Sequence, residues 1–262
     1  MISTALRLPQ RAAKPRQQGL TMVIDGGIPL AAFTDLISFS AEYIDFVKFG
    51  WGTAVVTGSI REKIGALAQH DIDFYFGGTL FEKYVLQDRF EDFRRFCLDH
   101  GCGHVEVSNG TIDMSNAEKA SYIRKLAADF EVVSEVGFKD PERSEQLPPS
   151  AWIEYISEDL AAGAKMVTLE ARESGKSGIC RPNGDLRLGL IEDVLTSGIG
   201  KEQLLFEAPT TDLQARFITR IGPDVNLGNV PATGVISLET LRLGLRGDTL
   251  VTFEDKDTYA YH

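Results

Sequence analysis

The stretch LTMVIDGG, residues 20–27, sets the reading of the whole chain: a mostly apolar run closes on an aspartate and two glycines. The same form returns along the sequence. It reads YIDFVKFGWGT (43–53), IDFYFGGT (72–79), HVEVSNGT (104–111), EVVSEVGFKD (131–140), KMVTLEARESG (165–175), LLFEAP (204–209) and VNLGNV (225–230). Short apolar runs rich in β-branched and aromatic residues suit buried parallel strands. Parallel strands bring all their polar C-terminal signatures to one edge, and in a closed barrel that edge is one pocket. The expected fold class is therefore α/β, a (β/α)8 TIM barrel. A doubly wound open sheet is the alternative; eight units and no GxGxxG turn after the first strand weigh against it.

Helical signals fill the gaps between the strands. Ser59 with Glu62, Ser115 with Glu118 and Thr211 with Gln214 read as capping boxes ahead of apolar faces. The 82–100 segment carries Phe90, Phe93 and Cys97 at helical spacing and ends at Gly101. Ser150 and Ser237 are candidate caps for two later helices. The proline-rich stretch 140–150 reads as one long loop. No linker divides the chain, so residues 20–262 are expected to form a single barrel, preceded by a basic arm over residues 1–19. Arg7, Arg11, Lys14 and Arg16 lie in that arm, and the first acidic residue is Asp25. It lacks the apolar segment of a secretory signal and is expected to pack on the barrel bottom or on a neighbouring subunit.

Composition narrows the function. The net charge of -11 argues against general nucleic-acid or membrane-surface binding. No apolar run approaches the ~20 residues of a membrane span. Cys97, Cys102 and Cys180 show no zinc or disulfide spacing, which fits idle thiols in a reducing, cytoplasmic setting. The four histidines (His70, His100, His104, His262) are scattered without ligand spacing. A GxSxG nucleophile elbow and an HExxH zinc motif are both missing from the sequence.

What remains is a ring of charge at the strand ends. Asp25, Glu106, Glu135, Glu170 and Glu207 each end a different predicted strand. Carboxylates gathered in one pocket repel unless cations balance them. Mg²⁺ is the natural candidate, as a hard ion that takes oxygen ligands. Lys48, Lys139, Arg172 and Arg246 are the basic partners. Lys48 is notable because it lies between apolar neighbours, where an unpaired ammonium is costly. Glycines mark the same edge, including Gly26, Gly137, Gly175 and Gly228, where backbone amides can approach an anion. Barrels often hold a phosphate after strands seven and eight, which draws attention to Asn226, Gly228 and Asn229. A Schiff base on Lys48 or Lys139 is the competing chemistry.

The phrases DFVKFGWGT (45–53), FGGTLFE (76–82), EVSNGT (106–111), ARESG (171–175), FEAP (206–209), VNLGNV (225–230) and LETLRLGLRGDT (238–249) together resemble the phosphosulfolactate synthase family. The resemblance spans about residues 19–250. It implies a (β/α)8 barrel, a carbon–sulfur lyase that requires Mg²⁺, and addition of sulfite to phosphoenolpyruvate. The product would be (2R)-phospho-3-sulfolactate, on a route to coenzyme M or sulfolactate. The resemblance places the acid that protonates C2 on Lys139, with Glu135 to orient it and Lys48 beside it. Arg172, Ser174, Gly175, Asn226, Gly228, Asn229 and Arg246 would bind the substrate anions, and Asp25, Glu170 and Glu207 the metal. A homo-oligomer is expected. The chain departs from the family pattern at Gly26 and Phe138, where lysines are common, and at Asn109, Ala171 and Gly228. These departures leave two alternatives: a paralogue that uses another nucleophile or enol acid, and a non-catalytic, stress-associated relative whose pocket would be filled.

Overall fold

The computed structural model describes residues 5–254; His262 lies outside the described residues, as do residues 1–4 and 255–261. Eight strands form: β1 (Thr21–Asp25), β2 (Phe46–Phe49), β3 (Asp73–Phe76), β4 (His104–Val107), β5 (Glu131–Val136), β6 (Ala164–Leu169), β7 (Leu204–Glu207) and β8 (Leu227–Pro231). They hydrogen-bond in the order β3-β2-β1-β8-β7-β6-β5-β4, every pair parallel. Only the seam between β3 and β4 lacks a backbone ladder. β3 and β4 still lie side by side there, and α4 (Gly78–Leu86) packs against β4, so the barrel is nearly closed. This is the (β/α)8 barrel that the repeated pattern implies.

Side chains alternate across each strand, and this splits the core in two. Val23, Val47, Val105, Val132, Val167 and Phe206 face outward and pack under the helices. Leu20, Met22, Tyr75, Val133, Met166 and Leu205 face inward and fill the lower barrel. Each apolar side chain fully buried this way contributes about 1.5–3 kcal/mol. Gly228 belongs to this inner layer: a Cβ there would lie 2.9 Å from Met22 Cε and 3.2 Å from Leu205 Cδ2. Its small size serves packing, not approach of a phosphate.

The helices are α1 (Leu30–Ser40), α2 (Thr53–Val56), α3 (Ile60–Ala68), α4 (Gly78–Leu86), α5 (Phe90–Asp99), α6 (Asn116–Leu126), α7 (Pro141–Gln146), α8 (Pro149–Ala162), α9 (Leu188–Thr196), α10 (Thr211–Ile221) and α11 (Val235–Arg242). Ser115 caps α6 by accepting from Glu118 N at 3.2 Å. Gly101, at φ 72°, follows the C-cap His100 of α5 as expected, and the other N-terminal caps differ from expectation. Ser59 precedes α3 without a side-chain cap bond. Thr210, one residue earlier than Thr211, caps α10. α8 starts at Pro149, where proline's missing N–H costs nothing. α11 starts before Ser237. The 82–100 segment is broken into α4 and α5, with Asp88 at φ 55 in the break. The 140–150 stretch is not all loop, because Asp140 caps the short helix α7.

The basic arm packs under the barrel. Arg11 reaches Glu239 Oε1 at 2.9 Å and Asp224 Oδ1 at 2.7 Å, and Arg16 reaches Asp45 Oδ1 at 3.0 Å. The fully buried Arg242 donates to the carbonyls of Pro223, Val225 and Leu20 at 2.6, 2.7 and 3.1 Å. Burial and nearby Arg11 push its pKa down to about 9. Among the described residues no helix is long and apolar enough to cross a membrane. The three cysteines are buried and free.

Candidate active site

The inward alternation of β2 carries Lys48 to the barrel axis, one layer above the apolar floor. Its Nζ lies 2.9 Å from Glu106 Oε1, 3.4 Å from Glu135 Oε2 and 3.7 Å from Glu207 Oε1. These acids sit on β4, β5 and β7. Burial favours loss of the lysine proton. The three carboxylates outweigh it and raise the Lys48 pKa well above the ordinary value. Lys48 is thus a fixed charge at the centre of the site.

Three of the acids are anchored by backbone amides. Glu106 Oε2 accepts from Gly78 N at 2.5 Å. Glu207 Oε2 accepts from the amides of Ala171 and Arg172 at 2.9 and 3.1 Å, and its Oε1 accepts from Asn229 Nδ2. Glu170, which follows β6, uses Oε1 to accept from Arg172 N at 2.5 Å. Two buried oxygens, Glu135 Oε1 and Glu170 Oε2, have no hydrogen-bond partner, and neither does Asn229 Oδ1. Glu135, Glu170 and Glu207 offer ligand oxygens that all lie within 4.8 Å of one another. Such a set of carboxylate oxygens, two of them without a hydrogen-bond partner, could hold a hard cation.

Charge is distributed unevenly over these acids. Burial and the neighbouring charges of Glu207 and Glu135 lift Glu170 well above the carboxylate range. Burial, against the pull of Lys48, brings Glu106 to about 7. Burial would raise Glu135 too, but Lys48 and Lys139 hold it down at about 2. Lys139 follows β5 on a turn that begins at Gly137. The φ there is 125°, and a Cβ would meet Glu170 Cβ at 2.7 Å and Trp152 Cη2 at 2.8 Å. Only glycine lets the chain turn at that point. Burial works against the Lys139 charge, and Glu135 and Glu170 overcome it, so its pKa is raised. Imine formation needs a lysine with a depressed pKa. Both lysines are the reverse, which disfavours the Schiff-base chemistry.

These groups open on a cavity of about 240 Å³, lined by Lys48, Thr79, Glu106, Thr111, Glu135, Lys139, Glu170, Arg172, Glu207 and Asn229 among others. It is open, not filled by side chains, and its size suits a small molecule. Three of its lining residues, Trp51, Arg172 and Asn229, hold positive φ of 52°, 58° and 52°. Non-glycine residues adopt that conformation uncommonly, and such strain often gathers at functional sites.

Not every sequence candidate joins the cavity. Asp25 Oδ2 is bound to Lys63 Nζ at 2.5 Å, and its Oδ1 accepts from Gly27 and Ile28 N at 2.8 and 2.7 Å. It ties α3 to the end of β1 and stands apart from the carboxylate cluster. Asn226 lies at the opposite end of the barrel, where its Oδ1 accepts from Leu20 N at 3.0 Å. Arg246 turns to Ser237 Oγ at 2.6 Å and Asp248 at 3.4 Å. Ser174 is exposed on the loop after β6, and Gly175 closes a turn onto Arg172 O at 2.9 Å. Neither lines the cavity. Sequence reading gave no role to Thr79, Thr111 or Glu82. Their signal was the FGGTLFE and EVSNGT phrases themselves.

The departures from the family pattern have local explanations. Gly26 lies under the Trp51 indole, which would collide with any side chain there. Asn109 donates to Met114 O at 2.9 Å and holds its loop. Phe138 stacks under the Arg143 guanidinium at 4.2 Å.

A barrel whose C-terminal edge gathers buried acids, two lysines and an arginine round one small cavity has the form of a barrel enzyme that acts on a small molecule. The family model for (2R)-phospho-3-sulfolactate synthase (ComA) matches residues 9–248, and the chain belongs to that family. Phosphosulfolactate synthase of Bacillus subtilis (strain 168) is 52% identical over 245 residues, covering 94% of this chain and 97% of the relative. That of Methanothermobacter thermautotrophicus is 43% identical over 247 residues, covering 92% and 95%. Among solved structures, deoxyribose phosphate aldolase from Aeropyrum pernix superposes with a TM-score of 0.55 at 8% identity, over 86% of this chain and 91% of that one. That likeness concerns the fold alone.

Proposed function

We propose that the protein adds sulfite to phosphoenolpyruvate in a Mg²⁺-dependent reaction, giving (2R)-phospho-3-sulfolactate. The supporting observation is that the Lys139 ammonium and the carboxylates of Glu135, Glu170 and Glu207 open on one cavity, in a chain of this family. In the reaction, the sulfur lone pair forms a bond to C3. The C2–C3 π pair moves onto C2 and the carboxylate, which takes on dianion character. Lys139 then gives its proton to C2. Lys48 and Arg172 supply fixed positive charge beside the substrate anions, and such preorganised charge is a large share of catalysis. Glu135 and Glu170 would hold the metal through their unpartnered oxygens, with Glu207 completing the set of carboxylates. Bound Mg²⁺ would supply Lewis-acid stabilisation of the developing dianion. Glu135, kept ionised, holds the Lys139 ammonium charged until it is used.

Phosphorus NMR of the purified protein with phosphoenolpyruvate, sulfite and Mg²⁺ tests the reaction. A new phosphate-ester signal that disappears without sulfite or with EDTA is the expected result. Phosphoenolpyruvate that binds but is left unchanged would instead identify a different nucleophile.

A further inference from the structure

The FGGTLFE stretch (76–82) forms the end of β3 and the first turns of α4, and it grips the site from the β3–β4 seam. Gly78 has no space for a side chain: a Cβ would lie 2.7 Å from Ser108 Cβ and 3.3 Å from Glu106 Oε2. Its amide can therefore press onto Glu106 at 2.5 Å. One residue on, Thr79 Oγ1 accepts from Lys139 Nζ at 2.7 Å. One turn on, the buried Glu82 gathers the loop after β4, accepting from Thr111 N at 3.0 Å, Ile112 N at 3.1 Å, Gly110 N at 3.2 Å and the Ser108 hydroxyl. The carbonyl of Gly110 in turn accepts from the Lys139 amide at 3.1 Å. Lys139 is therefore tied to α4 twice, at its backbone through the loop and at its ammonium directly.

We propose that Thr79 is the positioning residue of the proton donor: its hydroxyl fixes the Lys139 ammonium over the cavity, in the place from which C2 is protonated. The inference rests on Lys139 acting as the acid. A lysine head is a point charge with three donors on a flexible stem, so unheld it samples many rotamers. Among the described residues no carboxylate pairs directly with this ammonium, and the Thr79 hydroxyl is its hydrogen-bond anchor. A neutral acceptor suits the task. It orients the head without competing for the proton as a carboxylate would, and it leaves two N–H bonds free for substrate. Glu82 and Gly78 keep that acceptor at a fixed distance by locking α4 to the loop after β4 and to Glu106.

Replacing Thr79 by Val keeps shape and removes the hydroxyl; Thr79→Ser keeps the hydroxyl and removes a methyl. For Thr79→Val, kcat should fall roughly 10- to 100-fold, less than the about 10²- to 10⁴-fold that a general acid contributes in full, because the lysine itself remains. KM for phosphoenolpyruvate should stay within about 3-fold of wild type, because the loss falls on the transition state. Thr79→Ser should recover most of the rate. A substrate-free readout stands beside this: the hydrogen-bonded Lys139 ammonium should give a ¹H–¹⁵N correlation, assigned by its loss in Lys139→Arg. That signal should persist in Thr79→Ser and vanish in Thr79→Val. Equal loss of rate in both Thr79 variants would overturn the proposal in favour of packing, as would an unchanged kcat in Thr79→Val. If the wild-type protein leaves phosphoenolpyruvate and sulfite unreacted, the reading of the reaction fails. The ammonium signal then decides the Thr79 role by itself, and its absence from the wild type would overturn it.

Discussion

On the proposed function, Glu170 is the residue on which metal and proton would compete. Burial, Glu207 and Glu135 all disfavour its charge, so its folded pKa is raised and it keeps a proton well above the usual carboxylate range. A cation needs the ionised form, so binding must release that proton. Apparent Mg²⁺ affinity is therefore expected to rise with pH until Glu170 ionises unaided, and to fall as pH drops. Calorimetry in two buffers of different ionisation enthalpy should count about one proton released per ion; no release would argue against Glu170 as a ligand. Lys139→Ala makes a separate test. Turnover should be abolished while phosphoenolpyruvate binding stays nearly intact, because on the proposed function Lys48 and Arg172 would carry the anion contacts. Normal turnover in that variant would remove Lys139 as the acid.

At the scale of elements, the site depends on how α6 and α8 meet behind β5. Lys119 on α6 and Asp159 on α8 are fully buried and pair at 2.7 Å, and Lys119 also donates to Glu135 O at 3.0 Å. Burial raises the Asp159 pKa against the pull of Lys119. Breaking such a pair from one side leaves a buried charge alone. Lys119→Met is expected to cost about 3–5 kcal/mol in urea unfolding. The double change Lys119→Met, Asp159→Leu should recover much of that, since an apolar pair of similar volume is often as stable. A double variant no better than the single one would mean that the bond to Glu135 O, not the ion pair, is what matters.

At the scale of the molecule, stability and chemistry occupy opposite ends of the barrel. Arg11, Arg16 and Arg242 close the bottom through Glu239, Asp224, Asp45 and a set of carbonyls. The charged cavity lies at the top, separated by the layer that contains Met22, Tyr75, Val133 and Leu205. Arg11→Ala leaves the buried Glu239 without its partner and should lower the denaturation midpoint clearly. KM for phosphoenolpyruvate should not change. A shift in KM with no loss of stability would show coupling through the floor.

The eight strands, their parallel sense and the edge that carries the site were legible in the sequence, because strands covered on both faces leave short, mostly apolar runs that end in polar or glycine residues. Glu106, Glu135, Glu170, Glu207, Lys48 and Lys139 were legible as charges where that record ends. Caps were less so: Thr210 and Thr211 offer the same hydroxyl, and only backbone geometry chooses between them. The sequence could not separate Asp25 from the other strand-end acids, because Lys63 is 38 residues away and reaches Asp25 only after α3 folds back. Asn226 and Gly228 sit in a phosphate-like phrase, yet their height along β8 commits one to the bottom seal and the other to the inner core. Thr79 joined the site because α4 crosses the β3–β4 seam toward Lys139, 60 residues later. Local pattern determined which residues form strands and at which edge their charged ends gather. Which charges meet, and which oxygens stay open, was decided only when the barrel closed, since Coulomb and hydrogen-bond partners depend on distance in space and not along the chain.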